Sequence, residues 1–352
     1  MLTKLKTQLL RTARATRLNR SLANSRWRQN RLLIVCYHGV SEDDEHVWNP
    51  GLFVSRQTLA RRLEILKQGG YAVLPLEEAV QRLGHGSLPP RSVVLTFDDG
   101  MANFRTLAWP LLRQYGYPAT VYLRTDYCFY QRPVFDVVCP YLAWKRRDRT
   151  AAANPLLGWD AEQDLRTTEG RAKAVAHVRR TADERQLDEH ARDSLLAELA
   201  NHLGIDFDRF IASRILQIMT PDEVSKTAAE GVDLQLHTHR HRMLTMIRES
   251  DDLRKEIEEN RARILQLSGR NPTHFCYPSG RFRETHFPAL RQLGIVSATT
   301  CEPGMAQRDM DPLALPRFVD TELQSDDSFE AWLSGVRTVL STIRRNKQTY
   351  SH

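Results

Sequence analysis

The chain has 352 residues, 41% of them hydrophobic and 26% charged, with a formal net charge of +7. That balance excludes a disordered chain, and no apolar run approaches the ~20 residues that a membrane-spanning helix requires. Five scattered cysteines (Cys36, Cys128, Cys139, Cys276 and Cys301) include no CxxC pair. They argue against a disulfide framework or a thiolate zinc site, and for a reducing compartment.

The positive charge is unevenly placed. Residues 1–31 hold nine of the 50 basic residues and no acidic one, so the rest of the chain is close to neutral. Leu2, Leu5, Leu9 and Ala13 recur at helical spacing. This segment therefore reads as a basic amphipathic helix on an anionic membrane surface, or as a solvated arm. It lacks the apolar stretch of a secretory signal, although an Arg-rich, acid-free start also resembles an organelle transit peptide. The expected location is the cytoplasm, peripheral at the inner membrane where the arm binds lipid. With basic charge confined to the arm, nucleic acid is not an expected partner.

From Leu32 onward, short apolar runs alternate with helical stretches. Leu32–His38 predicts a strand. Ser55–Gly69 predicts a helix capped by Ser55, Tyr71–Leu74 a strand and Leu76–Leu83 a helix. Ser92–Asp99 predicts a buried strand, Leu107–Tyr115 a helix and Ala119–Thr125 the next strand. The rhythm then breaks from 126 to 219, a charged insertion with one helix expected near Asp183–His202. It resumes with a helix start at Thr220-Pro221, strand Val232–Thr238, helix Asp251–Leu267 and strand His274–Pro278. A helix near Glu284–Leu293, strands Val296–Thr300 and Ala314–Val319, and a helix near Phe329–Ile343 follow. This alternation implies a largely parallel sheet covered by helices, closed or nearly closed at about seven strands. The expected division is a basic arm (1–31), a barrel (32–345) interrupted by the insertion (126–219), and a tail (346–352).

In such barrels the reactive groups sit at the strand carboxyl ends. Asp98-Asp99, His237–His241, Pro278–Gly280 and Arg317 all fall there. Adjacent carboxylates leave a strand in opposite directions, so they do not flank one bond as a glycosidase pair. One on a metal with the other free as a base fits better, while Asp-Asp-Gly is also a common turn string. Among His237, His239 and His241, the first and last converge if the chain turns after the strand; in a continued strand all three share a face. Imidazoles at this density suit zinc.

These residues resemble the polysaccharide deacetylases, carbohydrate esterase family 4, with the NodB-homology domain. Thr96-Phe97-Asp98-Asp99-Gly100 is similar to the TFDDG motif, His237-Thr238 through His241 to H[ST]xxH, and Tyr277-Pro278-Ser279-Gly280 to YPxG. Tyr37-His38-Gly39-Val40 and Leu315-Pro316-Arg317 resemble an exopolysaccharide-associated branch. The resemblance implies a distorted (β/α) barrel of NodB type. It implies a divalent metal, most often Zn2+, on Asp99, His237 and His241, and Asp98 as the base that takes a proton from a metal-bound water. The backbone N–H of Ser279 would steady the developing oxyanion. The implied reaction removes N-acetyl groups from N-acetylhexosamine units of a glycan. Hydrolysis of an O-acetyl ester or small amide on the same centre, or noncatalytic carbohydrate binding, are the alternatives.

Two positions depart from the family pattern. Cys276 stands where the wider family opens its third motif with an arginine, and Arg317, then Arg281, are the candidate replacements. No LxxH-like histidine lies between 318 and 351. The proton for the leaving amine then comes back from Asp98, or from His38 at the end of the first strand; His352 stands at the chain end. In the insertion, Trp144, Trp159 and Tyr130 are candidates for sugar stacking, with core packing as the alternative.

Overall fold

A computed structural model describes residues 18–339. Seven parallel strands form its centre: β1 (Arg31–Tyr37), β2 (Ser92–Asp99), β3 (Thr120–Leu123), β4 (Asp233–Leu236), β5 (His274–Cys276), β6 (Ser297–Thr299) and β7 (Phe318–Val319). Their lateral order is β6–β5–β4–β3–β2–β1–β7. At the seam between β6 and β7 the contact thins to one parallel bridge, Thr299 to Leu315. The expected α/β barrel is present as a ring with one weak side. Two-residue strands thicken its lower edge, Ala72–Val73 parallel to β2 and Ala306–Gln307 antiparallel to β1.

All eight residues of β2 are buried, which explains why it reads as a continuous apolar run: a central parallel strand is covered on both faces. Helix Arg56–Gln68 starts where the Ser55 side chain accepts from Thr58 N–H, and helix Pro221–Ala229 starts in a Thr220–Glu223 capping box. Sequence and structure agree closely at both.

They part in three places. The insertion has three helices of eleven residues or more, Phe135–Lys145, Thr168–Glu184 and Glu189–His202, where one was expected near Asp183–His202; Asp188 caps the third by accepting from Ala191 N–H. It also holds a small antiparallel pair, Thr150–Ala151 with Gln163–Asp164. At the other end, the strand expected over Ala314–Val319 is a 3-10 turn (Pro312–Ala314) followed by β7. The last helix begins earlier than expected, at Asp326, and Gly335 ends its first segment at Ser334. Gly335 takes φ 91°, and a Cβ there would meet the Trp27 ring.

The insertion leaves from the end of β3 and returns beside the end of β2. Its returning segment bridges Met101 through Ile218, Ala102 N–H donates to Gln217 O, and Met219 N–H donates to Gly100 O. Farther out, Tyr141 donates to Asp44 and Lys145 pairs with Asp44, clasping the loop that follows β1.

Part of the basic segment is packed. Residues 18–31 form helices Leu18–Ala23 and Arg26–Gln29 and then enter β1. Arg28 is wholly buried, donating to the carbonyls of Leu333, Arg31 and Ser92 at 2.8, 2.6 and 2.9 Å. Burial pushes its guanidinium down to about 10. The apolar stripe Leu2–Ala13, the far end of the last helix and His352 lie outside the described residues. Among the described residues, no helix is long and apolar enough to cross a membrane.

Candidate active site

The carboxyl end of β2 carries Asp98 and Asp99, and the backbone turns sharply between their side chains. Asp99 takes φ 68°, a left-handed conformation rare outside glycine, and Gly100 N–H donates back to Asp98 O. The two carboxylates therefore face different partners.

Asp98 is gripped by Arg317. Nη1 and Nη2 donate to Oδ1 and Oδ2, both at 2.7 Å, and neither side chain is open to solvent. The guanidinium is itself fixed by Thr300 O on Nε and Thr96 Oγ1 on Nη1. Burial acts to raise the Asp98 pKa, but the Arg317 charge and its hydrogen bonds override it and hold the carboxyl well below the usual range. The thiols of Cys36 and Cys276 donate to Oδ2 at 3.5 Å, and His38 Nε2 lies 3.8 Å from it. Arg317 was expected at the end of a strand but immediately precedes β7; it meets Asp98 all the same, whereas Arg281 stays exposed.

Asp99 faces the histidine loop. Its Oδ1 is 3.4 Å from His237 Nε2 and 3.3 Å from His241 Nε2, yet this buried oxygen has no hydrogen-bond partner. His237 Nδ1 lies 2.8 Å from Cys276 O, which it serves as donor, so its Nε2 is aimed at Asp99. Burial pushes His241 down to about 4, which leaves it a neutral lone-pair donor. Asp99 is also held well below the usual carboxylate range, as His241 and His237 overcome the effect of burial.

The loop itself is bent by Thr238 (φ 60°) and His241 (φ 54°). Non-glycine residues in this region cluster where function demands a strained backbone. His239 consequently turns away, to Thr125 Oγ1 at 2.8 Å and Glu259 at 3.2 Å. The three histidines do not share a face. Asn260 and Glu256, buried on helix Ser250–Ser268, hold the loop by accepting from the His237 and Arg240 N–H groups. Sequence reading missed both. Their signal was a polar residue on the apolar face of an amphipathic helix.

One donor atom each from Asp99, His237 and His241 lies within 4.8 Å of the others. Bonds of ~2.0–2.1 Å at tetrahedral angles place neighbouring donors about 3.3–3.4 Å apart, which matches both carboxylate–imidazole separations. An orphaned carboxylate oxygen facing two imidazole nitrogens fits a divalent cation.

Across the mouth, Ser279 is exposed at φ 57°, and Gly280 (φ 65°) lies so close to Cys301 that a Cβ would sit 2.9 Å from its Sγ. The aromatic candidates fare differently. Trp159 is fully buried with its N–H on Ala174 O, and Trp144 stacks on Tyr141 at 9% exposure, so both are core. Tyr130 is half-buried against Tyr127 and His190.

A family model described as polysaccharide deacetylase matches residues 85–145 and 183–298. The Bacillus subtilis (strain 168) protein YxkH is 20% identical over 308 residues, spanning 87% of this chain and 77% of that one. The poly-beta-1,6-N-acetyl-D-glucosamine N-deacetylase of Escherichia coli (strain K12) is 32% identical over 101 residues, 28% of this chain and 14% of that enzyme. Among solved structures, the Streptococcus pyogenes deacetylase PplD superposes with a TM-score of 0.57 at 19% identity, covering 86% of this chain and 98% of that one. IcaB from Ammonifex degensii gives 0.53 at 16%, covering 86% and 97%. At such identities the structures share a fold. The family match spans half of the chain and contains both the paired aspartates and the histidine loop, and by it this chain belongs to the polysaccharide deacetylase family.

Proposed function

We propose that the enzyme removes N-acetyl groups from N-acetylhexosamine units of a glycan, using a divalent metal held by Asp99, His237 and His241 and Asp98 as base. When bound, the metal would polarise the acetamide carbonyl and acidify a water. Asp98 stands beside that triad but outside it. Arg317 keeps it ionised and fixed, ready to accept a proton from the attacking water. The Ser279 N–H, on the strained turn opposite, would meet the oxygen on which charge builds. His38, 20% exposed and 3.8 Å from Asp98, would pass a proton to the leaving amine. The carrying observation is this division of two adjacent carboxylates, one facing an arginine and the other facing two imidazoles.

The test is acetate release from an acetylated amino-sugar oligomer, before and after chelation. We expect loss with chelator, recovery with zinc, and loss of both metal and turnover in His237→Ala. Metal retained by that variant at wild-type affinity would refute the ligand assignment. Turnover of an O-acetyl ester but not of the acetamide would move the enzyme to another bond on the same centre. Binding of the oligomer without hydrolysis would make it a noncatalytic carbohydrate binder.

A further inference from the structure

A second group of metal-ligating side chains lies against the first and shares no residue with it. One donor atom each from Cys36, His38 and Asp98 lies within 4.8 Å of the others. The strand register explains the grouping. β1 and β2 run parallel with Cys36 opposite Thr96, so Cys36 and His38 alternate onto the face that carries Thr96 and Asp98. Cys36 Sγ is 3.5 Å from Asp98 Oδ2. A tetrahedral zinc with a thiolate at ~2.3 Å and a carboxylate oxygen at ~2.0 Å sets those atoms about 3.5 Å apart. Arg317 engages each oxygen of Asp98 once and the Cys36 and Cys276 thiols also reach Oδ2, so the direction the Cys36 thiol gives up on losing its proton is the one open to an ion.

We propose that Cys36, His38 and Asp98 form a second, inhibitory site for a thiophilic divalent cation such as zinc or cadmium. The inhibition rests on the reading of Asp98 as base, whereas the binding does not. An ion enters past His38, the one member of the three open to solvent. Binding forms a metal–sulfur bond and releases the thiol proton to water. Burial holds the Cys36 thiol protonated, with the Arg317 charge opposing it in part, so only a metal that competes well for sulfur displaces that proton. Magnesium and manganese are excluded by the same chemistry. Cys276 forms an alternative group with Asp98 and His237, but His237 is committed to the Asp99 triad, so that group cannot fill alongside it. The sequence hid this site because a lone Cys-x-His pair at a strand end matches no thiolate zinc motif.

The experiment titrates cadmium into the zinc-loaded full chain and follows the near-ultraviolet absorption of a cadmium–thiolate bond, with far-ultraviolet circular dichroism to confirm each variant's fold. The absorption is expected in the wild type and in Cys301→Ser and Cys276→Ser. It is expected to vanish in Cys36→Ser and to shift to higher cadmium in His38→Gln, which carries the test if the buried serine fails to fold. No absorption in the wild type, its persistence in a folded Cys36→Ser, or its loss with Cys301→Ser would overturn the proposal. In parallel, excess zinc should inhibit wild-type acetate release but leave Cys36→Ser at its own uninhibited rate, and equal inhibition of both would likewise overturn it. The absorption arm needs no turnover, so a failed deacetylase reading and a failed second site give different results.

Discussion

Two aspartates of this barrel are buried against an arginine, and their acidities are shifted in opposite directions. Asp98 receives the whole fork of Arg317, two parallel bonds at 2.7 Å, and stays ionised far into acid. Asp320, just past β7, receives Nε of Arg62 at 2.9 Å, the Tyr37 hydroxyl at 3.0 Å and the Thr321 N–H at 3.1 Å. The rest of the Arg62 guanidinium is turned to Asp326 and Gln324 O. Burial therefore prevails at Asp320 and lifts its pKa to about 6 in spite of Arg62. The lesson is geometric: a guanidinium that gives one carboxylate two parallel bonds outweighs desolvation, and one that gives it a single bond while serving a second carboxylate does not.

Asp98→Asn removes the charge that the two parallel bonds from Arg317 support. It should cost turnover about 10²–10⁴-fold while metal content is unchanged, measured by acetate release and metal analysis. Arg317→Met strands the buried carboxylate. A loss of about 3–5 kcal/mol in denaturant unfolding is expected, and the acid limb of kcat/KM should move to higher pH as burial takes control of Asp98. An unmoved limb would show that Arg317 does not govern the base.

The pH dependence of stability separates the two pairs by sign. Asp98 is held below its unfolded value, so its contribution is complete above ~pH 4 and is lost as pH falls through its folded value. Asp320 runs the other way. Between the ordinary aspartate value of 3.8 and about 6 the unfolded chain ionises while the folded chain keeps its proton, so stability falls as pH rises across that window. The drop is of order 2–3 kcal/mol at ~1.4 kcal/mol per unit, and Asp320→Asn should flatten it in unfolding curves taken across the window. Smallest is Tyr37→Phe, which removes one hydrogen bond to Asp320 and should cost about 1 kcal/mol without altering the Asp98 limb.

Much of this was legible in the chain. Ser92–Asp99 is a strand at both of its predicted ends, because a doubly covered strand is apolar throughout and Gly100 ends it. The arginine facing Asp98 was reachable only through the resemblance, which asks for a cation where Cys276 stands and so pointed to Arg317, although Arg317 precedes β7 and does not end a strand. What could not be read is contact set by register. Cys36 meets Asp98 only because β1 and β2 pair with Cys36 opposite Thr96, and no local pattern encodes that offset. The break between the insertion's long helices was also hidden, since Gln186 at φ 50° and the Asp188 cap interrupt a charged stretch that keeps good helix formers on both sides.

The way the insertion comes home also limits how the protein can be trimmed. Gly100 and Ala102, on the turn that aims Asp99, exchange their main-chain hydrogen bonds with Met219 and Gln217. Excising residues 126–219 to obtain a minimal catalytic unit would leave those groups unanswered at the one bend that must not drift. The outer helices are open to redesign; the last few residues of the excursion behave as native barrel.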